Sequence, residues 1–167
     1  MFLNAAVIGL GVGEQHLRGL KENSKIKIIK IFDKNQKRMS DLAKKYDVYG
    51  CKKIEEILND KKIDVVCIAS NDDSHFDYIK KCLNKNKHIF VEKPALINHL
   101  NARKIFKILK EKKKIFFYSN YILRKSKRFM KLKRMIEKKE FGNIYYFEGD
   151  YNYGRINKII SGWRGKI

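Results

Sequence analysis

The chain has 167 residues, 44% of them hydrophobic, and a formal net charge of +21, which is enough chain for one domain that buries roughly 70% of its unfolded surface. The composition excludes a disordered basic tail, and no apolar run approaches the ~20 residues that cross a bilayer. The amino terminus MFLNAAVIGLG lacks the basic region of a signal peptide, so a cytoplasmic protein with no membrane partner is expected.

In chain order, residues 5–9 are a short apolar run that breaks at Gly11 and Gly13, and 14–21 follows with Leu17 and Leu20 on one helical face. Residues 27–32 are Ile-rich and close on Asp33. Helical periodicity covers 35–46, with a shorter helix at 53–58. Residues 63–69 read as a buried strand, after which Phe76, Ile79 and Leu83 recur at helical spacing. A strand at 88–91, a helix around Ala102, Ile105, Phe106 and Leu109, and a strand at 115–118 complete the alternation. Strands alternating with helices of 10 to 15 residues predict an α/β fold, a doubly wound parallel sheet with helices on both faces. Continuously apolar strands agree, because both faces of such a sheet are covered.

Near Asn120 the pattern changes. A basic helix with Phe129, Leu132 and Ile136 inward leads through Phe141, Gly142 and Asn143 into 144–153. That stretch alternates as a strand, with Tyr145, Phe147, Tyr151 and Tyr153 on one face and Tyr146, Glu148, Asp150 and Asn152 on the other. The expected division is residues 1–119 as a first domain and 120–167 as the incomplete start of an α+β open-sheet domain.

The charge raises a nucleic-acid reading, but 31 of the 39 basic residues are lysine and lie on the polar faces of periodic segments. Base readout favours Arg, and single-strand binding needs aromatics interleaved with charge. A solvated lysine surface is the preferred reading. Cys51, Cys67 and Cys82 are odd in number and outside metal-ligand spacing, so neither a disulfide framework nor a metal site is expected.

Gly9, Gly11, Val12 and Gly13 form the turn G-L-G-V-G after the first strand and open the first helix. Glycine there lets the backbone approach a pyrophosphate, whose charge the N–H groups of the helix start would hold. The spacing departs from G-x-G-x-x-G, since Glu14 takes the third glycine's place and Gly13 comes one residue early. Asp33 lies 20 residues after Gly13, where a carboxylate can accept the ribose hydroxyl protons and repel a 2′-phosphate. NAD is favoured over NADP, with Lys34, Lys37 and Arg38 near enough to soften the preference. The alternative for Asp33 is a helix N-cap. Ser70, Asn71 and His75 follow a strand at its carboxyl end, the edge where ligands bind in open α/β sheets; the alternative, a helix cap at Asp73 or Ser74, is compatible with that role.

Glu92, Lys93 and Pro94 close the next strand at that edge. Proline cannot continue the ladder, and an X-Pro bond adopts the cis form at little cost, so the turn would fix Lys93 over the crevice. A lysine whose proton affinity is lowered by burial can take a hydroxyl proton as hydride leaves for nicotinamide, whereas the adjacent Glu92 would raise that affinity. The alternative is a surface lysine ending a strand. His16, His88 and His99 have no partner pattern and receive no role.

These residues resemble a known family. GLGVGEQHLRGL, DVVCIASNDDSH and HIFVEKP look like successive signatures of the glucose–fructose oxidoreductase, inositol dehydrogenase and MocA family. SNYILRKSKRF, EKKEFGNIYYFEGDYNYGR and GWRGK are similar to the beginning of its second domain. The resemblance implies a Rossmann domain binding NAD(P), a second domain whose open sheet builds the substrate pocket and often an oligomer interface, and sugar, nucleotide-sugar or cyclitol substrates. Surface-polysaccharide synthesis is one setting it suggests. Carried over by motif, Gly9, Gly11 and Gly13 would face the pyrophosphate, Asp33 the adenosine ribose, Asn71 and His75 the nicotinamide, and Lys93 the reacting hydroxyl.

Family members are about twice this long, and a further aspartate and histidine of their catalytic signature would lie beyond Ile167. The chain is therefore expected to bind cofactor without complete catalysis. Arg124, Tyr151, Tyr153, Arg155 and Trp163 are candidates for an anionic or sugar substrate, with sheet core or dimer interface as the alternative for the tyrosines. The competing classes are a non-catalytic dinucleotide-binding module docking on a partner chain and, below it, a basic nucleic-acid binder.

Overall fold

The structure, a computed structural model, describes residues 2–161. By contact it divides after Asn120 into two compact units.

The first unit is built on six parallel strands, β1 (Leu3–Ile8), β2 (Ile26–Phe32), β3 (Tyr49–Gly50), β4 (Val65–Ile68), β5 (His88–Val91) and β6 (Phe117–Ser119), in the spatial order β3-β2-β1-β4-β5-β6. The helices between them are α1 (Gly13–Lys21), α2 (Gln36–Tyr46), α3 (Glu55–Leu58), α4 (His75–Asn84) and α5 (His99–Glu111). Alternation along each strand creates two cores. Ala6, Ile8, Val66 and Ile68 face one side with Ile57, Ile79, Leu83 and Ile105 of α3, α4 and α5. Val7, Ile31 and Cys67 face the other with Leu17, Met39 and Leu42 of α1 and α2. This is the doubly wound arrangement, and it explains why β1 and β4 are apolar on both faces.

The order reverses between β1 and β4: the chain leaves β1 toward β2 on one side and leaves β4 toward β5 on the other. Ligands of open α/β sheets lie at the carboxyl ends of the strands at such a reversal. Gly9, Asp33 and Glu92 follow directly on three of the four central strands and Ser70 stands two residues after the fourth, at this edge.

Two short elements escaped the sequence pattern. β3 pairs only Tyr49 with Lys30 and Gly50 with Ile31, too short for an alternation to register. Residues Asp72–Ser74 form a single 3₁₀ turn. α2 starts from Asn35, whose side chain accepts the Arg38 N–H at 3.0 Å; Asp33 is not the N-cap.

The second unit contains a 3₁₀ turn, Ile122–Lys125, and helices α6 (Lys127–Glu137) and α7 (Ile156–Ile160). α6 is where the periodicity puts it, capped by Ser126, but of its expected inward residues only Phe129 and Leu132 are half-buried and Ile136 is exposed. The strand expected over 144–153 is absent. These residues are irregular and exposed, Tyr145 by 99%, because a strand needs a neighbour to complete its ladder and none lies beside it among the described residues.

Candidate functional site

At the end of β1 the chain turns through Gly9, whose φ of +84° lies in the left-handed region that glycine alone enters at no cost. A Cβ there would stand 2.5 Å from the Ser70 backbone nitrogen. The turn after β1 and the loop after β4 are thus in backbone contact, which no side chain permits. A Cβ on Gly11 would meet nothing within 4 Å, so the space in front of it is open. Gly13 differs from the expectation that it faces a ligand. It is the buried first residue of α1, and a Cβ would press on Val7 Cγ1 at 3.1 Å and Ala69 Cβ at 3.3 Å; it lets the helix lie close on the sheet. Gly13 therefore takes the packing role of the third glycine in G-x-G-x-x-G, one residue early. Val12 is exposed at the helix start. Glu14, in the third glycine's place, is drawn to α2 by Lys45 Nζ at 2.6 Å and the Tyr46 hydroxyl at 3.1 Å, which hold its carboxyl below the usual range.

Asp33 is buried and turned into this loop. Its Oδ2 accepts the Leu10 N–H at 2.6 Å, its Oδ1 accepts the Asn35 N–H at 2.7 Å, and Arg38 Nη1 lies 3.6 Å from Oδ2. The carboxylate fixes the glycine turn and keeps one lone-pair direction on each oxygen for a further donor. Leu10, Gly11, Glu14, Asn35, Lys37, Arg38, Asp41 and Leu42 line a cavity of about 550 Å³ beside it. An open glycine, a helix start and an adjoining cavity under a carboxylate fit the pyrophosphate and ribose of a dinucleotide.

After β4, Ser70 is half-buried and Asn71 exposed, the Asn71 carbonyl accepting the Ser74 N–H at 3.0 Å. Ser74 Oγ is 2.8 Å from Ser70 Oγ and 2.7 Å from the Asn71 carbonyl. His75 corrects the expectation that it faces the nicotinamide. It is fully buried, with Nδ1 at 2.8 Å from the Pro94 carbonyl and Nε2 at 3.0 Å from the Ser70 carbonyl. The ring lies between the loop after β4 and the turn after β5, its one N–H donating to one of the two carbonyls, so it serves the site's shape.

Glu92 and Lys93 end β5 differently. Glu92 is buried and Lys93 exposed, so the burial that the sequence reading invoked for Lys93 is missing: the carboxylate, not the amine, takes the inward position. The Lys93–Pro94 peptide is cis. Glu92 Oε1 accepts from His16 Nε2 at 2.7 Å and Asn120 Nδ2 at 2.8 Å, and Oε2 from the Lys93 N–H at 3.1 Å. Burial pushes this carboxyl up, but the three donors outweigh it and hold it down to about 2. His16 and Asn120 are residues that sequence reasoning missed. The signal for His16 lay in its place on the inward face of α1, three residues from Gly13 and four from Leu20.

The remaining candidates lie in the second unit. Arg124 packs its guanidinium 5.4 Å from the Tyr121 ring centre, and Tyr151 stacks on Tyr153 at 6.0 Å. No hydrogen bond, ion pair or ring contact joins Arg124 or Arg155 to Tyr151 or Tyr153 among the described residues. Trp163 lies outside the described residues. Among the described residues no helix is long and apolar enough to cross a membrane.

A glycine turn, a buried acid after β2 and a basic turn after β5 on one rim of a doubly wound sheet define a dinucleotide-binding oxidoreductase domain. Residues 3–120 match the model of the oxidoreductase family with the NAD-binding Rossmann fold, and the chain belongs to that family, which unites glucose–fructose oxidoreductase, inositol dehydrogenase and MocA. It is 27% identical over 161 residues to the inositol 2-dehydrogenase of Salmonella typhimurium, covering 93% of this chain and 48% of that protein. It is 28% identical over 144 residues to the myo-inositol 2-dehydrogenase of Thermotoga maritima, covering 84% and 42%. The crystal structure of scyllo-inositol dehydrogenase from Lactobacillus casei with bound NAD(H) and scyllo-inositol superposes with a TM-score of 0.81 at 19% identity, over 86% of this chain and 43% of that one; at that identity the likeness is one of fold. The chain spans about half the length of the curated relatives it matches.

Proposed function

We propose that this chain is the cofactor-binding part of an NAD(P)-dependent dehydrogenase that oxidises a ring hydroxyl of a cyclitol, sugar or nucleotide sugar, with NAD the preferred cofactor. The observation that carries this reading is the backbone contact of Gly9 with Ser70, locked by the Asp33 carboxylate on the Leu10 N–H. It leaves one cradle at the strand reversal, with room in front of Gly11. The similarity to the two inositol dehydrogenases supports a cyclitol or sugar over other alcohols.

In this reading the N–H groups at the start of α1 bind the pyrophosphate and Asp33 the adenosine ribose. Asn71 flanks the nicotinamide end. The bound nicotinamide supplies hydride acceptance, and Lys93, carried on the rim by β5, takes the hydroxyl proton from the substrate. Arg38 beside Asp33 tempers the discrimination against a 2′-phosphate. Residues 121–167 contribute to the substrate side and, through the exposed Tyr145, Phe147 and Tyr151, to association of copies. Three buried, unpaired thiols suit a reducing cytoplasmic setting.

Hydrogen–deuterium exchange with and without NADH tests the assignment. Protection confined to 9–15, 33–38, 69–75 and 91–94 is expected. Protection elsewhere on the sheet, with those segments unchanged, contradicts it.

A further inference from the structure

Glu92 is a buried carboxylate on which three separate parts of the chain converge. His16 comes from the first turns of α1, Asn120 follows β6, and the Lys93 N–H belongs to the turn itself. The staple is braced from behind: the His16 ring meets Phe90 edge-on, with centroids 5.4 Å apart and planes at 73°, and Phe90 stacks on Tyr118 at 5.6 Å.

The arrangement matters because of what Glu92 does not touch. It is the sequence neighbour of Lys93, and a carboxylate within reach of an ammonium pairs with it and holds its proton. Among the described residues no ion pair joins the two. Oε1 of Glu92 is instead occupied by His16 of α1 and by Asn120 after β6, Oε2 accepts the backbone N–H of Lys93, and the Lys93 side chain stands exposed.

We propose that His16 and Asn120 are positioning residues that, by anchoring the Glu92 carboxylate between α1 and the end of β6, keep it off the Lys93 ammonium and leave that amine free for proton transfer in the crevice. The inference rests on the reading of Lys93 given above. It also makes α1, the helix that opens the cofactor cradle, the mechanical support of the catalytic turn. Loss of the His16 donor leaves Asn120 as the one side-chain donor on Oε1, which loosens the carboxylate toward Lys93, and the pair so formed lowers the fraction of free amine about tenfold for each unit of raised proton affinity.

Competitive labelling of lysine amines by acetic anhydride, read residue by residue by mass spectrometry on the whole chain, tests this, with the other lysines as internal reference. His16→Phe, which keeps a ring against Phe90, is expected to lower Lys93 labelling about 3- to 10-fold. Adding Glu92→Gln is expected to restore it, because an amide cannot pair with an ammonium. His16→Gln, which supplies an N–H without the ring, is expected to restore most of it. Glu92→Gln alone is expected to leave it within twofold. Should His16→Phe fail to fold, Asn120→Leu gives the same reading with a smaller loss. A folded His16→Phe or Asn120→Leu protein whose Lys93 labelling stays within twofold overturns the proposal, as does a loss that persists in the Glu92→Gln background. NADH protection of Lys93 in the unmodified chain reports separately on the reading beneath: no protection, with the His16 effect intact, removes Lys93 from the crevice and leaves the staple standing.

Discussion

Gly9 and Ser70 approach so closely that a Cβ on Gly9 would lie 2.5 Å from the Ser70 backbone nitrogen, while the Gly9 φ of +84° already excludes most side chains. Gly9→Ala combines a left-handed penalty of roughly 1–2 kcal/mol with an overpacking cost of roughly 1–3 kcal/mol. A loss of about 2–4 kcal/mol in urea unfolding is expected. Gly11→Ala, with open space before it, is expected to change stability by under about 1 kcal/mol while weakening NADH binding. Equal effects of the two on stability would contradict the assigned roles.

Asp33 fixes the turn and, in the proposed reading, sets the cofactor preference. Asp33→Asn keeps one acceptor but removes the charge, so NAD binding is expected to weaken about 10-fold and the NADP-to-NAD affinity ratio to rise about 10-fold, with Arg38 left unpaired for a 2′-phosphate. Calorimetric titration with both dinucleotides measures the ratio, and an unchanged ratio would remove Asp33 from the ribose.

Glu92 makes stability depend on acid. Its carboxyl is held down to about 2 in the folded chain against an ordinary value of 4.5. A depressed folded-state value gives stabilisation that is complete above about pH 4.5 and is lost as pH falls through about 2. The contribution is on the order of 1–3 kcal/mol. Glu92→Gln should flatten the unfolding free energy across that window, as followed by urea denaturation at each pH. A parallel decline in both proteins would place the acid sensitivity elsewhere.

His75 is buried between two carbonyl acceptors. His75→Ala leaves a cavity and one buried carbonyl short of its donor, and a loss of about 2–4 kcal/mol in urea unfolding is expected. If the folded variant kept full stability and lost only NADH affinity, the ring would belong to the ligand side after all.

The doubly wound class was legible because it is written in short-range chemistry: glycine after β1, acid after β2, proline after β5, and apolar runs between amphipathic helices. What escaped depends on distance or on a partner. His16 and Glu92 are 76 residues apart and meet only once α1 lies on the sheet. His75 sits in a first helical turn, where local pattern cannot distinguish a ligand contact from a clip between loops. Residues 144–153 carry strand alternation, yet alternation describes faces and cannot provide the neighbouring strand.

Burial also governs the thiols. It pushes Cys51 up to about 11 and Cys82 up to about 12, and raises Cys67 strongly. All three are expected to resist Ellman's reagent in the folded chain and to react together on unfolding. Rapid modification of any one without loss of helical signal would contradict the two-sided core.

Titration of NADH into the 167-residue chain, followed by calorimetry at low and high salt, tests the central claim most directly. The cradle predicts saturable one-to-one binding in the micromolar to low millimolar range, weakened by Gly11→Ala and little altered by salt, since backbone N–H groups and a carboxylate carry the contacts rather than the lysine surface. No binding at several millimolar, or binding that vanishes with salt and ignores Gly11, would contradict it.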